Sequence, residues 1–213
     1  MGLWENRVLP HLIDWGMDNR SMHRERAQAL AAAQGEVLEV GFGSGLNLPH
    51  YPGGQVQRLV AVEPNAQALK LARGRIEACD FEVQTIRLEG ERIPCADASF
   101  DTVVSTFTLC TIPDVAAALA QLRRVLRPEG QFIFLEHGRA PDDAVHRWQR
   151  RAEPVQRTLF GGCHLTRDID ELVQEAGFEL KSLERYYSKG PKVMSFFFRG
   201  SASKPASRPD HRR

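Results

Sequence analysis

The sequence predicts a single α/β domain built on a mostly parallel sheet, and three observations carry that expectation. From Glu36 onward, short apolar strand patterns alternate with segments of helical periodicity. A glycine-rich turn, Gly41-Phe42-Gly43-Ser44-Gly45, separates the first strand from the element that follows. The 213 residues suffice for one such domain with a full core, but not for two with a linker.

Taken in order, Leu3, Trp4, Val8, Leu9, Leu12, Ile13 and Trp15 recur at roughly helical intervals, and a second helix is expected over 21–33. The first strand, 36–40, runs into the glycine turn, and the second, 58–62, ends at Glu63-Pro64. Helix 66–78 carries Leu69, Ala72 and Ile76 on one face. Further strands are expected at 81–88, 100–107 and 131–136, the last with a Phe132-Ile133-Phe134-Leu135 run suited to burial on both faces. Between the last two lies helix 114–126, with Val115, Leu119, Leu122, Val125 and Leu126 as its core stripe and Arg127-Pro128-Glu129-Gly130 as its stop.

From 139 to 165 the pattern is irregular, and Pro154 is expected to interrupt a helix there. Helix 167–176 then leads to a closing hairpin of strands 178–187 and 193–199. The stretch 200–213 is rich in Ser, Pro and Arg with almost no apolar residues, so it is expected to be disordered.

Composition excludes several classes. With 28 Lys+Arg against 27 Asp+Glu, the net charge of +1 makes no overall case for a nucleic-acid partner. Charged residues break up the apolar pattern of 1–20, so neither a signal peptide nor a membrane span is expected. Cys79, Cys95, Cys110 and Cys163 are scattered, with no C-x-x-C pair and no histidine at zinc-finger spacing; neither a metal site nor a disulfide framework is suggested, and a cytoplasmic location fits.

Three acids at expected strand ends carry the chemistry. Gly41, Gly43 and Gly45 let the backbone turn sharply and approach a ligand, but their spacing is not the G-x-G-x-x-G of dinucleotide folds. Glu39, near the end of an apolar strand, could orient a cationic amino-acid moiety. Glu63 can accept hydrogen bonds from both hydroxyls of a ribose, and Glu89 from an adenine amino group while the Gly90 amide faces a ring nitrogen. No G-x-x-x-x-G-K-[ST] loop is present, which argues against ATP.

The motifs Val37-Leu38-Glu39-Val40-Gly41-Phe42-Gly43-Ser44-Gly45, Val62-Glu63-Pro64-Asn65, Glu89-Gly90-Glu91-x-x-Pro94, Ser99-Phe100-Asp101 and Leu126-Arg127-Pro128-x-Gly130 resemble, in order, those of the class I, seven-stranded, S-adenosylmethionine-dependent methyltransferases. That resemblance implies a Rossmann-like, doubly wound sheet of strand order 3-2-1-4-5-7-6 with strand 7 antiparallel. It implies S-adenosylmethionine as cofactor and S-adenosylhomocysteine as product. Gly41, Gly43 and Gly45 would line the methionine portion, Glu63 would hold the ribose, Glu89 and Gly90 the adenine, and Thr106 would abut the sulfonium; Glu39, Asn47 and Pro64 complete the cofactor-binding set. The chain is read as residues 1–35, helices forming a lid over the active site; 36–199, the methyltransferase domain; and 200–213, a basic tail.

A narrower resemblance, on Phe134-Leu135-Glu136-His137, Trp148, Pro154 and Gly162-Cys163-His164-Leu165-Thr166-Arg167, is to the microsomal alkyl thiol methyltransferases and their bacterial relatives. It implies S-methylation of a small thiol such as hydrogen sulfide, methanethiol or an alkyl thiol. The alternatives are C- or O-methylation of a quinone-like molecule, N-methylation of a phospholipid amine, or a non-catalytic cofactor-binding scaffold. His137 and His164 are the candidate catalytic residues, His137 as a general base at the end of strand five. Cys163 is expected to be a small buried hydrophobe and Cys110 core or pocket wall. Trp4, Trp15 and Trp148 are expected to pack against helices, and Arg139, Arg147, Arg150, Arg151 and Arg157 to form a solvated face.

Overall fold

The computed structural model describes residues 4–88, 92–159 and 161–205. A short π-helical turn, Trp4–Val8, leads into helices α1 (Leu9–Met17) and α2 (Arg20–Leu30), the second started by Asn19, whose side chain accepts hydrogen bonds from the backbone N–H of Ser21 at 3.0 Å and Met22 at 3.1 Å. There follow β1 (Gly35–Val40), β2 (Val56–Val62), α3 (Ala66–Glu77), β3 (Glu82–Ile86), β4 (Phe100–Thr106) and α4 (Val115–Val125). The chain continues through β5 (Leu126–His137), α5 (Asp143–Leu159), α6 (Ile169–Glu175), β6 (Glu179–Tyr187) and β7 (Phe196–Ser203).

The seven strands form one sheet in the order β3-β2-β1-β4-β5-β7-β6, with β7 antiparallel to both neighbours and the remaining pairs parallel. This is the expected topology. The central strands are buried on both faces because helices cover both: Leu38, Val103, Phe132 and Phe134 belong to one apolar cluster with Leu119, Leu122 and Val125 of α4, while Val37, Leu59, Val104 and Ile133 meet Leu30 of α2 and Ala72 of α3 in another. The alternation of neighbours along each strand between those two layers is the period-2 signature read as continuous hydrophobicity. Among the described residues, no helix is long and apolar enough to cross a membrane.

Three expectations need correction. The irregular stretch 139–165 contains α5, a helix that runs through Pro154 without ending. Its inward stripe is Val145, Gln149, Ala152 and Gln156, so the buried face is half polar and leaves no apolar period to find. Gln149 replaces apolar packing with backbone hydrogen bonds: its Nε2 donates to the carbonyls of Gly138 at 3.0 Å and Val193 at 3.2 Å, and its Oε1 accepts from the Ala140 N–H at 2.9 Å.

Second, the last strand does not stop at Arg199. Gly200 and Ala202 are buried within β7, where a Cβ on Gly200 would stand 2.4 Å from the Ser182 carbonyl and 2.7 Å from the Phe134 ring. Small residues there fit an interior strand crossed by aromatic rings, and composition alone misread them as tail. The rest of that tail, 206–213, lies outside the described residues.

Third, Trp15 and Trp148 do not pack away: they remain 81% and 59% exposed, while Trp4 is 41% exposed. Arg151 lies over the Trp148 ring at 5.3 Å, so that indole is covered by a neighbour on its own helix. The arginines of 139–157 named above are exposed, as expected of a solvated face.

Phe132 is fully buried, with ring centroids 5.6 Å from Phe134 and 5.1 Å from Phe178, which ties β5 to the turn before β6. Phe132→Ala is expected to cost about 3–5 kcal/mol of folding stability, read as a lower urea midpoint at unchanged slope. A shift of only a few tenths of a molar would show that this layer does not carry the sheet.

Candidate functional site

The carboxyl ends of β1, β2, β4 and β5 open on one edge of the sheet, where open α/β folds place their ligands. After β1 the backbone turns through Gly41 at φ +68° and Gly43 at φ +58°. A Cβ at 41 would lie 2.0 Å from the Thr108 hydroxyl, so the loop after β4 is packed directly on this turn and only glycine fits. A Cβ at 43 would meet nothing nearer than 3.9 Å, so that position faces open space.

Glu63, at the end of β2, is held against the turn. Its Oε2 accepts from the Gly43 N–H and its Oε1 from the Asn65 N–H, both at 2.8 Å. Burial raises its pKa and these two bonds oppose the rise. Each oxygen keeps a second lone pair for an incoming donor. Pro64 beside it is exposed, and its carbonyl accepts from Arg87 at 3.3 Å. Glu89 and Gly90, the expected adenine contacts, lie outside the described residues.

Behind the turn sits a buried polar network. Glu39 is 1% exposed and accepts from Asn47 Nδ2 at 2.9 Å and from the Tyr51 hydroxyl at 2.6 Å. Asn47 Nδ2 also donates to the Thr106 hydroxyl at 3.0 Å, and Arg26 of α2 donates to Asn47 Oδ1 at 2.7 Å and to Thr106 at 3.1 Å. Burial pushes the Glu39 carboxyl up to about 7 and brings the Arg26 guanidinium down to about 10. Arg26 therefore stays charged at neutral pH, yet its Nε is buried without a partner. Arg26 was not legible as a site residue, because it precedes the sheet and sits in an ordinary helical pattern.

A third group lies past the ends of β4 and β5. Glu136 is fully buried, and one of its oxygens accepts from the Ser105 hydroxyl and from the N–H groups of Thr108 and Leu109, at 2.8, 3.0 and 3.1 Å. This fixes the loop that contains Phe107, which adopts φ +52°, and carries Cys110 beside His137. His137 Nε2 lies 3.1 Å from the Cys163 sulfur and 3.8 Å from that of Cys110. A hydrogen bond from Cys110, with His137 close by, holds the Cys163 thiol at about 5 in spite of burial, while the same bond and burial raise Cys110.

Cys163 is thus buried, as expected, but paired rather than inert. His164 goes elsewhere: its Nδ1 is 3.1 Å from Glu153 of α5, whose other oxygen accepts from Thr166 at 2.6 Å. The two histidines singled out in the sequence are therefore not brought together.

Residues 38–134 match the methyltransferase domain family. Thiol S-methyltransferase TMT1B of Rattus norvegicus is 33% identical over 168 residues, 74% of this chain and 68% of that protein. The chain belongs to the class I methyltransferases. Its cofactor is S-adenosylmethionine. TMT1B of Homo sapiens is 31% identical over 194 residues, 83% of this chain and 79% of its own. A SAM-dependent methyltransferase of Thermotoga maritima shares the fold at TM-score 0.69 and 20% identity, over 96% of this chain and all of that one.

The methyltransferase's residues fit that cofactor. A bare-backbone turn facing open space, a carboxylate with spare lone pairs and a buried cation with an unpartnered N–H match, in turn, a methionine chain, a ribose diol and a carboxylate.

Glu39 makes stability depend on pH. Its folded-state carboxyl, at about 7 against an ordinary 4.5, binds protons that the unfolded chain has released between those values. The group's contribution is full below about 4.5 and is lost as pH rises through about 7. Glu39→Gln should flatten that part of the profile, checked by thermal melts from pH 4.5 to 8; a variant that loses stability across the window as steeply as the parent would refute the assignment.

Proposed function

We propose that this methyltransferase methylates the sulfur of a small thiol, such as hydrogen sulfide, methanethiol or an alkyl thiol. The observation that carries the reading is the Cys110, His137 and Cys163 group at the strand ends, a soft, sulfur-lined wall where an acceptor would stand. The names of the two TMT1B relatives support it.

S-adenosylmethionine supplies an activated methyl group on a sulfonium with a good leaving group. The chain's own task is to position, desolvate and deprotonate. Gly41 and Gly43 admit the methionine portion, Asn47 and Gly45 shape its wall, and Arg26 offers its free Nε–H to the carboxylate. Glu63 receives the ribose hydroxyls; Glu89 and Gly90 are assigned to the adenine, with Pro64 lining that end. Glu39 acts through Asn47 and Tyr51 as a positioning residue, and Thr106 anchors the network on the acceptor side.

Helices α1 and α2 serve as the lid, α2 through Arg26 and through Met22, which packs on Leu135 and Phe197. On the far wall, His137 favours the deprotonated acceptor sulfur. A thiol with pKa about 8.5 already ionises appreciably near neutrality, so the help required is modest. His164, tied to Glu153, holds the 162–166 turn in place and does not meet the acceptor.

Incubation with S-adenosylmethionine and sulfide or methanethiol should yield the methylated sulfur product and S-adenosylhomocysteine in equal amounts by mass spectrometry. Cofactor binding without thiol turnover, alongside methylation of a quinol or a phospholipid amine, would replace the reading with one of those acceptors. Arg26→Gln should weaken S-adenosylhomocysteine binding by roughly 10- to 100-fold in calorimetry, the size of a charge-assisted hydrogen bond. Unchanged affinity would remove Arg26 from the cofactor site.

A further inference from the structure

We infer that Cys110, His137 and Cys163 form a binding site for a zinc-class divalent ion, with its fourth position open to the acceptor. The three candidate ligand atoms, two sulfurs and His137 Nε2, all lie within 4.8 Å of one another. Nε2 is the shared centre, 3.1 Å from one sulfur and 3.8 Å from the other. Tetrahedral zinc bonds of about 2.3 Å to sulfur and 2.0–2.1 Å to nitrogen place neighbouring ligand atoms roughly 3.5–3.8 Å apart, so small side-chain shifts would seat the ion. Two thiolates and an imidazole are the donors that soft or borderline ions select, and that magnesium and calcium do not. Three protein ligands with one position left over is the arrangement of catalytic rather than structural zinc.

The sequence hides this group because its members come from two separate loops and from the last residue of β5. The fold locks those loops together. Arg167 donates to the carbonyls of Leu109 and Ile112, the latter at 2.8 Å. The His164 N–H donates to the Cys110 carbonyl at 2.8 Å, and the Arg139 N–H to the Arg167 carbonyl at 2.9 Å. Glu136 pins Thr108 and Leu109 just before Cys110. Rigid support of this kind, independent of the ligand atoms themselves, is what a preorganised metal site requires.

The role of the ion rests on the thiol reading above, whereas its binding does not. An acceptor RSH takes the fourth position and releases its proton to solvent, leaving a bound RS⁻. A sulfur lone pair then forms the new S–CH₃ bond as the cofactor's C–S⁺ bond breaks, its electron pair returning to S-adenosylhomocysteine. The product, a thioether or, from hydrogen sulfide, methanethiol, leaves neutral, a weaker ligand than the thiolate.

The test uses full-length protein purified with a phosphine reductant and titrated with Co²⁺. One equivalent should bind with the intense ultraviolet thiolate-to-cobalt band and visible bands of a tetrahedral site, and Zn²⁺ should displace it. Cys110→Ser, Cys163→Ser and His137→Gln should each weaken binding beyond the roughly 10- to 100-fold that loss of an outer-shell partner costs. Cys79→Ser and Cys95→Ser should bind as the parent does. Retained affinity for S-adenosylhomocysteine shows that each variant is folded.

Addition of methanethiol should shift the cobalt spectrum if the fourth position is open. Absence of the charge-transfer band, or its persistence at the parent's intensity and affinity in Cys163→Ser, would overturn the site. Thiol turnover by protein that binds no Co²⁺ would sink this inference and leave the proposed function standing. Stoichiometric Co²⁺ without thiol turnover would do the reverse.

Discussion

The carboxylate of Glu136 is the interaction on which the rest of the active edge depends. Wholly buried, it concentrates three hydrogen bonds on a single oxygen and so pins the loop after β4 to the end of β5. Thr108 on that loop closes over Gly41, and Cys110 two residues later reaches His137. One carboxylate thereby sets both the tightness of the glycine turn and the placement of Cys110 beside His137. Burial raises its pKa, opposed by the bonds from Thr108, Leu109 and Ser105. An isolated buried carboxylate would be strongly unfavourable, which is why its donors are recruited from the loop it must hold.

The same logic governs the opposite side of the site. Arg26, Asn47, Glu39, Tyr51 and Thr106 form a network with few spare groups, and in a low-dielectric interior such networks are rigid when satisfied and costly when not. The N–H at Arg26 Nε is the exception, buried with no partner among the described residues. A buried donor left without a partner costs stability, so the network is not fully satisfied at that one atom.

Much of this was legible in the sequence, and the boundary is physical. The alternation of apolar strands with helices produced the sheet, and Glu63 was readable because an acid closing an apolar strand has little other reason to be there. Glu136, three strands away in the sheet, follows the same rule but is followed at once by a histidine, the more obvious chemical group. Arg26 and Gln149 left no trace, since a buried polar residue on a helix looks like any solvated one until its partners are known. The Cys110, His137 and Cys163 group was invisible for a different reason: proximity between two loops and a strand end is a property of topology, and no spacing along the chain encodes it. Composition misled twice, at Pro154 and at Gly200, where local rules yielded to tertiary packing.

The position of β7 has a consequence for how the molecule is made. Among the described residues β6 pairs only with β7, and β7 is inserted between it and β5. During synthesis at about 5–20 residues per second, β6 is made before the strand it pairs with among the described residues. It must wait as an unpaired segment until Phe196 to Ser203 emerge, and a chain interrupted before Phe196 loses two strands rather than one. Strands β1 to β5 can pair before then, which leaves the outer edge of β5 open until the closing hairpin joins it.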